Sequence, residues 1–450
     1  MASASRDLTD GSIWAAIANL TMPMVVGIVA VLSVSLVDTY FVGKLGTDEL
    51  AALSFTFPIT MAIASLASGL AAGAASVVSR AIGSKNQADA KRLSTDSLVL
   101  ATVIVIAISA IGFFTIIPLF SLLGAQGDVL ALLTRYMQIW YVSMPFLVIP
   151  MVANSIIRAV GDAFWPSLIM IGAAVINVIF TPLLIFGWGP FPALHIEGAA
   201  YSTLIARAAT LFLALYIVLY REHMIDVSLP ALKTLVQSWW KVLKIGVPAG
   251  AGSVVNPVGI AVVTALLATA GDTTVAAFGV ATRIESFASI PMLALSAAIG
   301  PIAGQNWGAG NRSRVVEAVK KCYWVCAVWS VILAVSFVWL AAPLAEFLAS
   351  EAQVAEQSTQ YLMIVTVSLW GYGVVIVSST AFNSLGKSVT GLAYYIVRTA
   401  IFYVPLSAIA SIAFGSSAVF YAIATANALS GAIVGAYALH WLTRHANDAS

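Results

Sequence analysis

The run from Ile13 to Gly46, IWAAIANLTMPMVVGIVAVLSVSLVDTYFVGKLG, constrains the fold more than any other stretch. About 20 apolar residues cross the hydrocarbon of a bilayer, and a buried core helix is far shorter than this run. Two residues break the apolar pattern. Pro23 removes a backbone hydrogen bond inside the run and tends to kink a helix there. Asp38 puts a carboxylate near the far end, where a charge is costly unless it has a partner or a task. An acid on a bent membrane helix is the leading candidate for a coupling site, with Pro23 as the conformational residue beside it.

The rest of the chain agrees. Of 450 residues, 61% are hydrophobic and 9% charged, against about 25% charged in soluble domains. The net charge of +2 is too small to point to nucleic acid. The first dozen residues are polar and carry both signs (Arg6, Asp7, Asp10), without a small-residue cleavage site after a short apolar core, which argues against a signal peptide. Cys322 and Cys326 stand four apart on one helix face with no further ligands near them, so no metal site is expected. No GxxxxGK[ST] string occurs, so ATP is not the expected energy source, and no cofactor is expected.

Apolar runs separated by short polar breaks give twelve candidate spans: 13–40, 49–77, 93–119, 130–157, 166–187, 199–220, 240–269, 274–303, 316–342, 358–383, 389–413 and 417–441. The longest polar break, 221–238, divides the chain into an N-terminal lobe (1–220) and a C-terminal lobe (239–450). With a cytoplasmic N-terminus, sixteen of the 21 Lys and Arg fall on or near the inner side, while Lys44 falls in an outer loop beside Asp48 and Glu49. That asymmetry predicts both termini in the cytoplasm of a multi-pass protein. After Pro230, Leu232, Leu235, Val236, Trp239, Trp240 and Leu243 share one helical face and Lys233, Gln237, Lys241 and Lys244 the other, which predicts an interfacial linker helix on the inner side.

A shift of 225 positions superimposes the halves: Trp14 meets Trp239, Pro23 meets Pro248, Gly27 meets Gly252, Asn86 meets Asn311, Tyr136 meets Tyr361 and Gly161 meets Gly386. Apolar matches are cheap here, but Trp, Pro, Asn and Tyr matches are not. The chain reads as a duplication of six spans, both halves inserted the same way up about an axis along the membrane normal, with a cleft between them. In span two, Gly69 and Gly73 stand four apart with Ser65, Ala72 and Ser76 nearby, a spacing that lets backbones approach closely within one half.

Several strings now point to one family. VDTYFVGKLGTDELAA after span one, SRAIGSKNQADAKR after span two, NSIIRAVGD in span four, INVIFTPLLIFG in span five and GQNWGAGN in the second half together resemble the multidrug and toxic compound extrusion (MATE) transporters. The pattern is closer to their DinF-like prokaryotic branch, because NorM-like members carry an acid in span seven where this chain has Val255, Asn256 and Pro257. The resemblance implies an all-α membrane protein of twelve helices in two pseudo-symmetric six-helix lobes, and export of bulky amphipathic organic compounds driven by protons or sodium. It implies a bacterial inner-membrane protein, expected as a monomer, that is not an enzyme. It assigns the cation-coupling acid to Asp38, with Tyr136, Asn154 and Asn177 around it. One position departs. The family pattern in span five is Asn, three residues, then Asp before Pro; here Asn177 is followed by Thr181 before Pro182. With the second acid missing, a hard cation has fewer charged oxygens to bind, which favours a proton.

Other charges lie inside spans: Arg207 in span six, Arg283 and Glu285 in span eight and Arg398 in span eleven. Residues two apart do not share a helix face, so Arg283 and Glu285 are not expected to pair, whereas Glu285 could bond Arg398. The three second-lobe residues are either structural or a second protonatable or substrate-contacting set. Two interior acids against three arginines leave anionic or zwitterionic substrates open, as an organic-anion exporter would handle. A flippase for lipids or lipid-linked oligosaccharides is the other alternative. Flexible Met and flat rings in the spans, among them Trp140, Tyr141, Met292 and Tyr372, suit a promiscuous apolar pocket. His195 and Glu197 read as loop residues.

Overall fold

A chain whose backbone polar groups lie in hydrocarbon must bond them within each segment, and the long apolar runs accordingly form helices. A computed structural model describes residues 7–226, 228, 232–349 and 351–447, with the backbone alone over 47–52. Arg6 and Pro230 lie outside the described residues, as do the side chains of Asp48 and Glu49. Twelve spans follow in chain order. They are α1 Ile13–Gly43, α2 Thr47–Gly83, α3 Gln87–Leu122, α4 Gly127–Ala159, α5 Phe164–Phe186 and α6 His195–Arg221. The second six are α7 Leu232–Ala268, α8 Asp272–Ala288 with Ile290–Gly308, α9 Arg312–Leu348, α10 Ala352–Ser384, α11 Ser388–Phe414 and α12 Ser416–Asn447.

The irregular points have identifiable causes. The two parts of α8 meet at 46° around Ser289, and Pro291 at the start of the second part cannot donate back across the break. In α4 the break at Ser143 and Met144 precedes Pro145. In α11 a π-helical segment runs from Val397 to Tyr403. His195 and Glu197, expected in a loop, instead open α6, where Glu197 Oε1 lies 3.3 Å from Arg135 Nη1. Cys322 and Cys326 are free and buried.

Two compact units result. The first comprises residues up to Asp7, Val26–Ala81 and Asn86–Gly250; the second comprises Leu8–Val25, Ile82–Lys85 and Ala251–Ser450. The chain therefore passes from one unit to the other inside α1, between Val25 and Val26, and again inside α7, between Gly250 and Ala251. These crossings lie 225 residues apart, the offset of the sequence repeat, and each falls two residues beyond a proline, Pro23 or Pro248.

Within the first unit, α2 packs on the early turns of α7 along a seam of small residues. A Cβ on Gly69 would sit 2.4 Å from the Gly246 carbonyl oxygen, and one on Gly73 2.5 Å from that of Val242. The Ser65 hydroxyl donates to the Gly250 carbonyl in the same seam. The partner stripe of Gly69 and Gly73 thus comes from the second sequence repeat, which span-order reasoning assigns to the other half. The expected amphipathic linker forms the first turns of α7, which runs unbroken from Leu232. Its buried side carries Ser238, Val242 and Ile245, while Leu232, Val236 and Trp240 are exposed along with the lysines. Trp239 Nε1 donates to the Asp96 carbonyl at 3.0 Å.

The second unit has an aromatic core. Tyr361 is 1% exposed and meets Phe278 and Phe420 edge-to-face at 5.7 and 5.2 Å, within a cluster that also holds Val263, Leu267 and Ile423.

Candidate functional site

The polar network of the first unit is built where α1, α5 and α6 meet. Asp38 and Val42 stand one turn apart on α1, and Thr181 and Ile185 one turn apart on α5. Val42, Ile185 and Ala199 form a buried apolar cluster, flanked by Phe41 and Phe186. The same helix faces therefore carry an apolar seal and, one turn further along, the polar groups. Close approach of α5 and α6 depends on Gly198, where a Cβ would lie 2.5 Å from the Leu184 carbonyl oxygen. One turn beyond Gly198, Ser202 reaches Thr181.

Thr181 is the centre of the network. Its Oγ1 lies 3.1 Å from Asp38 Oδ1, 3.2 Å from Asn177 Oδ1 and 2.8 Å from Ser202 Oγ. Ser202 in turn donates to the Asn177 carbonyl at 3.2 Å, and Asn177 Nδ2 to Thr203 Oγ1 at 3.4 Å. A threonine hydroxyl has one hydrogen. It cannot satisfy Asp38 and Asn177 together, so the network has at least two hydrogen-bonding arrangements. An ionised Asp38 draws the hydroxyl hydrogen as a charge-assisted bond. A protonated Asp38 can donate to Thr181, which then turns to Asn177 or Ser202.

Arg207 of α6 lies within Coulombic range of both Asp38 and Tyr136. Its Nη1 donates to Ser143 Oγ at 2.7 Å, at the break in α4, and its guanidinium lies 5.5 Å from the Trp140 ring centroid. Tyr136 is buried on α4. Asn154, also buried on α4, has an Oδ1 without a hydrogen-bond partner. Among the described residues no hydrogen bond links Tyr136 or Asn154 to Asp38. Of the first-lobe residues singled out from sequence, Thr181 bonds both Asp38 and Asn177, which meet only through it; the structure adds Ser202 and Thr203 and brings Arg207 near. Ser202 and Thr203 were missed because small hydroxyls in an apolar span carry no pattern of their own.

The second unit repeats the side-chain set on different helices. Glu285 of α8 accepts from the Tyr361 hydroxyl at 2.5 Å. Arg398 of α11 is buried; its Nε donates to Asn427 Oδ1 at 3.0 Å and its Nη1 to Asn256 Oδ1 at 2.7 Å. Glu285 attracts Arg398 electrostatically, but among the described residues the two form no ion pair. The direct partner of Glu285 is thus Tyr361, where sequence reasoning offered Arg398. Arg283 is exposed and stands apart from this cluster. Tyr361 is the repeat equivalent of Tyr136, so each unit holds a carboxylate, an arginine and a matched tyrosine.

A duplicated twelve-span body with single, partly buried carboxylates set among hydroxyls and amides at membrane depth defines a multi-pass membrane transporter. The MatE family profile matches residues 23–183 and 248–409, once in each half. The chain is 38% identical to a Shewanella oneidensis protein named FAD transporter, over 92% of this chain and 91% of that one. It is 23% identical to the multidrug export protein MepA of Staphylococcus aureus, over 93% and 91%. Its structure resembles that of the Vibrio cholerae MATE transporter VcmN in the bent form, with a TM-score of 0.90 at 29% identity, covering 96% of this chain and 98% of that one. The chain belongs to the MatE family, whose members are transporters rather than enzymes.

Proposed function

We propose that the protein exports amphipathic organic compounds in exchange for protons by alternating access, with Asp38 as the coupling carboxylate. The observation that carries this reading is the Asp38–Thr181–Asn177–Ser202 network, in which one hydroxyl hydrogen is shared between a carboxylate and neutral acceptors. A change in the protonation of Asp38 re-orders the bonds between α1, α5 and α6, which is the local two-state element that coupling requires. A proton suits this set better than sodium. Thr181 replaces a second carboxylate, and the Arg207 charge nearby disfavours another fixed cation. Pro23 supports a bending α1, because it lacks the N–H that would bond the Asn19 carbonyl. The lysine and arginine asymmetry supports placement in a bacterial inner membrane with both termini cytoplasmic.

Protein reconstituted in vesicles under an imposed pH gradient tests the coupling. Substrate should accelerate dissipation of the gradient, a sodium gradient alone should drive nothing, and Asp38→Asn should lose the substrate-dependent component. Parent-like exchange by Asp38→Asn would falsify the role given to this carboxylate.

A specific observation favours organic anions among the substrates. The 38%-identical relative is named for transport of FAD, a flat aromatic compound bearing a diphosphate. Buried Arg398 lacks a contacting carboxylate, which suits such a substrate better than a cationic drug.

A further inference from the structure

Arg398 occupies an unusual setting for a charge at membrane depth. It is 4% exposed and stands on the π-helical segment Val397–Tyr403 of α11. Such wide turns are rare and recur at functional sites. The segment leaves a second trace, because the neighbouring Thr399 Oγ1 is buried without a hydrogen-bond partner. Gly259 of α7 makes room for it: a Cβ there would lie 2.4 Å from Thr399 Cγ2.

The guanidinium is oriented by neutral groups and forms no ion pair among the described residues. Asn427 holds Nε and Asn256 holds Nη1 through neutral amide oxygens. The rings of Tyr372 and Tyr403 lie 4.7 and 5.1 Å from its centre, a cation–π arrangement that steadies the plane. Nη2 donates to no protein acceptor among the described residues. Glu285 is the acid that attracts the guanidinium, but Glu285 Oε2 accepts from the Tyr361 hydroxyl and the carboxylate forms no ion pair with Arg398 among the described residues. Asn256, Glu285 and Tyr372 are each partly exposed, so the charged edge is not sealed behind them. A merely structural arginine joining α7, α11 and α12 would explain the two asparagines. It would not explain a guanidinium nitrogen with no acceptor among the described residues on a charge that forms no ion pair.

We propose that the Nη1–Nη2 edge of Arg398 recognises the oxyanion group, phosphate or carboxylate, of an aromatic organic substrate. Planar guanidinium forks match such groups through paired, charge-assisted hydrogen bonds. The arrangement discriminates by charge: an anionic compound gains a partner that its neutral analogue cannot use. This assignment rests on the organic-anion reading above and locates the group that reads the charge.

The test is equilibrium binding to detergent-purified, full-length protein without any gradient, so it does not depend on how transport is coupled. The probes are riboflavin and riboflavin 5′-phosphate, which share a ring system and differ by one phosphate, followed by their intrinsic fluorescence. The parent protein should bind the phosphate ester at least about tenfold more tightly, the scale of one charge-assisted bond. Arg398→Lys keeps the charge but loses the fork, and Arg398→Met loses both; each should bring the two affinities together. Asn427→Asp preserves shape while placing a carboxylate on Nε, and should weaken only the phosphate ester. It serves as the check if an Arg398 variant does not fold. Equal affinities in the parent overturn both the anion reading and this site. Preference for the phosphate ester that survives in folded Arg398→Lys and Asn427→Asp keeps the anion reading and overturns the assignment to Arg398.

Discussion

Replacing Thr181 by valine removes one hydroxyl from the centre of the first-unit network while keeping the branched shape. Three contacts disappear together, to Asp38 at 3.1 Å, Asn177 at 3.2 Å and Ser202 at 2.8 Å. Only one of them can carry the hydroxyl hydrogen at a time, so the loss is not the sum of three bonds. The relevant bond is the one to the ionised carboxylate. Hydrogen bonds to charged groups contribute about 1.5–3 kcal/mol, which corresponds to about a 10- to 150-fold change in the balance between the two arrangements of the network. Ser202 Oγ is directed at the Asn177 carbonyl at 3.2 Å and Asn177 Nδ2 at Thr203 Oγ1 at 3.4 Å, so neither donates to Asp38. If Asp38 couples proton movement to transport as proposed, Thr181→Val should slow substrate-dependent dissipation of a pH gradient in vesicles by about tenfold or more. Thr181→Ser, which restores the hydroxyl, should recover most of the rate. The melting temperature of both variants in detergent controls for simple unfolding. Parent-like exchange by a folded Thr181→Val would show that the hydroxyl relay is irrelevant, even with Asp38 essential.

Other substitutions probe what holds this site in place. Gly69→Ala puts a methyl 2.4 Å from the Gly246 carbonyl, so α2 and α7 must separate at a cost of about 1–3 kcal/mol, read as a lower melting temperature. Gly279→Ala, which has no atom within 4 Å of the added methyl, should be neutral or stabilising by a few tenths to about 1 kcal/mol, and equal effects at the two glycines would remove the case for a packed seam. Gly198→Ala forces α6 from α5 at the Leu184 carbonyl, one turn from Ser202, and should impair gradient dissipation as Thr181→Val does; a fully active variant would mean that Ser202 need not touch Thr181. Tyr361→Phe strips Glu285 of its 2.5 Å donor and should destabilise the second unit by about 1–3 kcal/mol, seen in thermal unfolding, unless the carboxylate is already solvated.

Span positions and the duplication were legible because both are written in side-chain chemistry. A bilayer requires long apolar runs, and Trp, Pro, Asn and Tyr matches at a fixed offset survive against an apolar background. Asp38 was legible for the same reason, since a lone carboxylate in such a run is costly. Asn177 came from the family pattern and Thr181 as its departure, and Thr181 bonds both Asp38 and Asn177. Spatial partnership was harder to read. Ser202 and Thr203 carry no hydropathy signal, and Gly198 looks like any small residue until the Leu184 carbonyl is seen beside it. Gly69 and Gly73 announced a close seam without naming its partner, because helix spacing shows that a face is smooth but not which smooth face meets it. The pairing of Glu285 failed similarly. Opposite charge suggested Arg398, whereas the geometry gives Glu285 a tyrosine and gives Arg398 two asparagines.

The duplication also limits how far one unit predicts the other. Tyr136 and Tyr361 are true repeat equivalents, yet the acids and arginines around them are not. Asp38 stands on α1 and Glu285 on α8; Arg207 stands on α6 and Arg398 on α11. The repeat equivalent of Asp38 is Val263, a fully buried member of the second unit's apolar core. The similar charge sets therefore come from different helices rather than from inherited residues. Different surroundings follow. In the first unit the carboxylate meets a hydroxyl that has alternative acceptors, the condition for a proton-linked switch. In the second, the tyrosine engages the carboxylate and the arginine is left to neutral amides, the condition for receiving a charge from outside the chain. On the proposed reading, ion coupling and substrate recognition fall in separate units, and α1 and α7 each contribute residues to both.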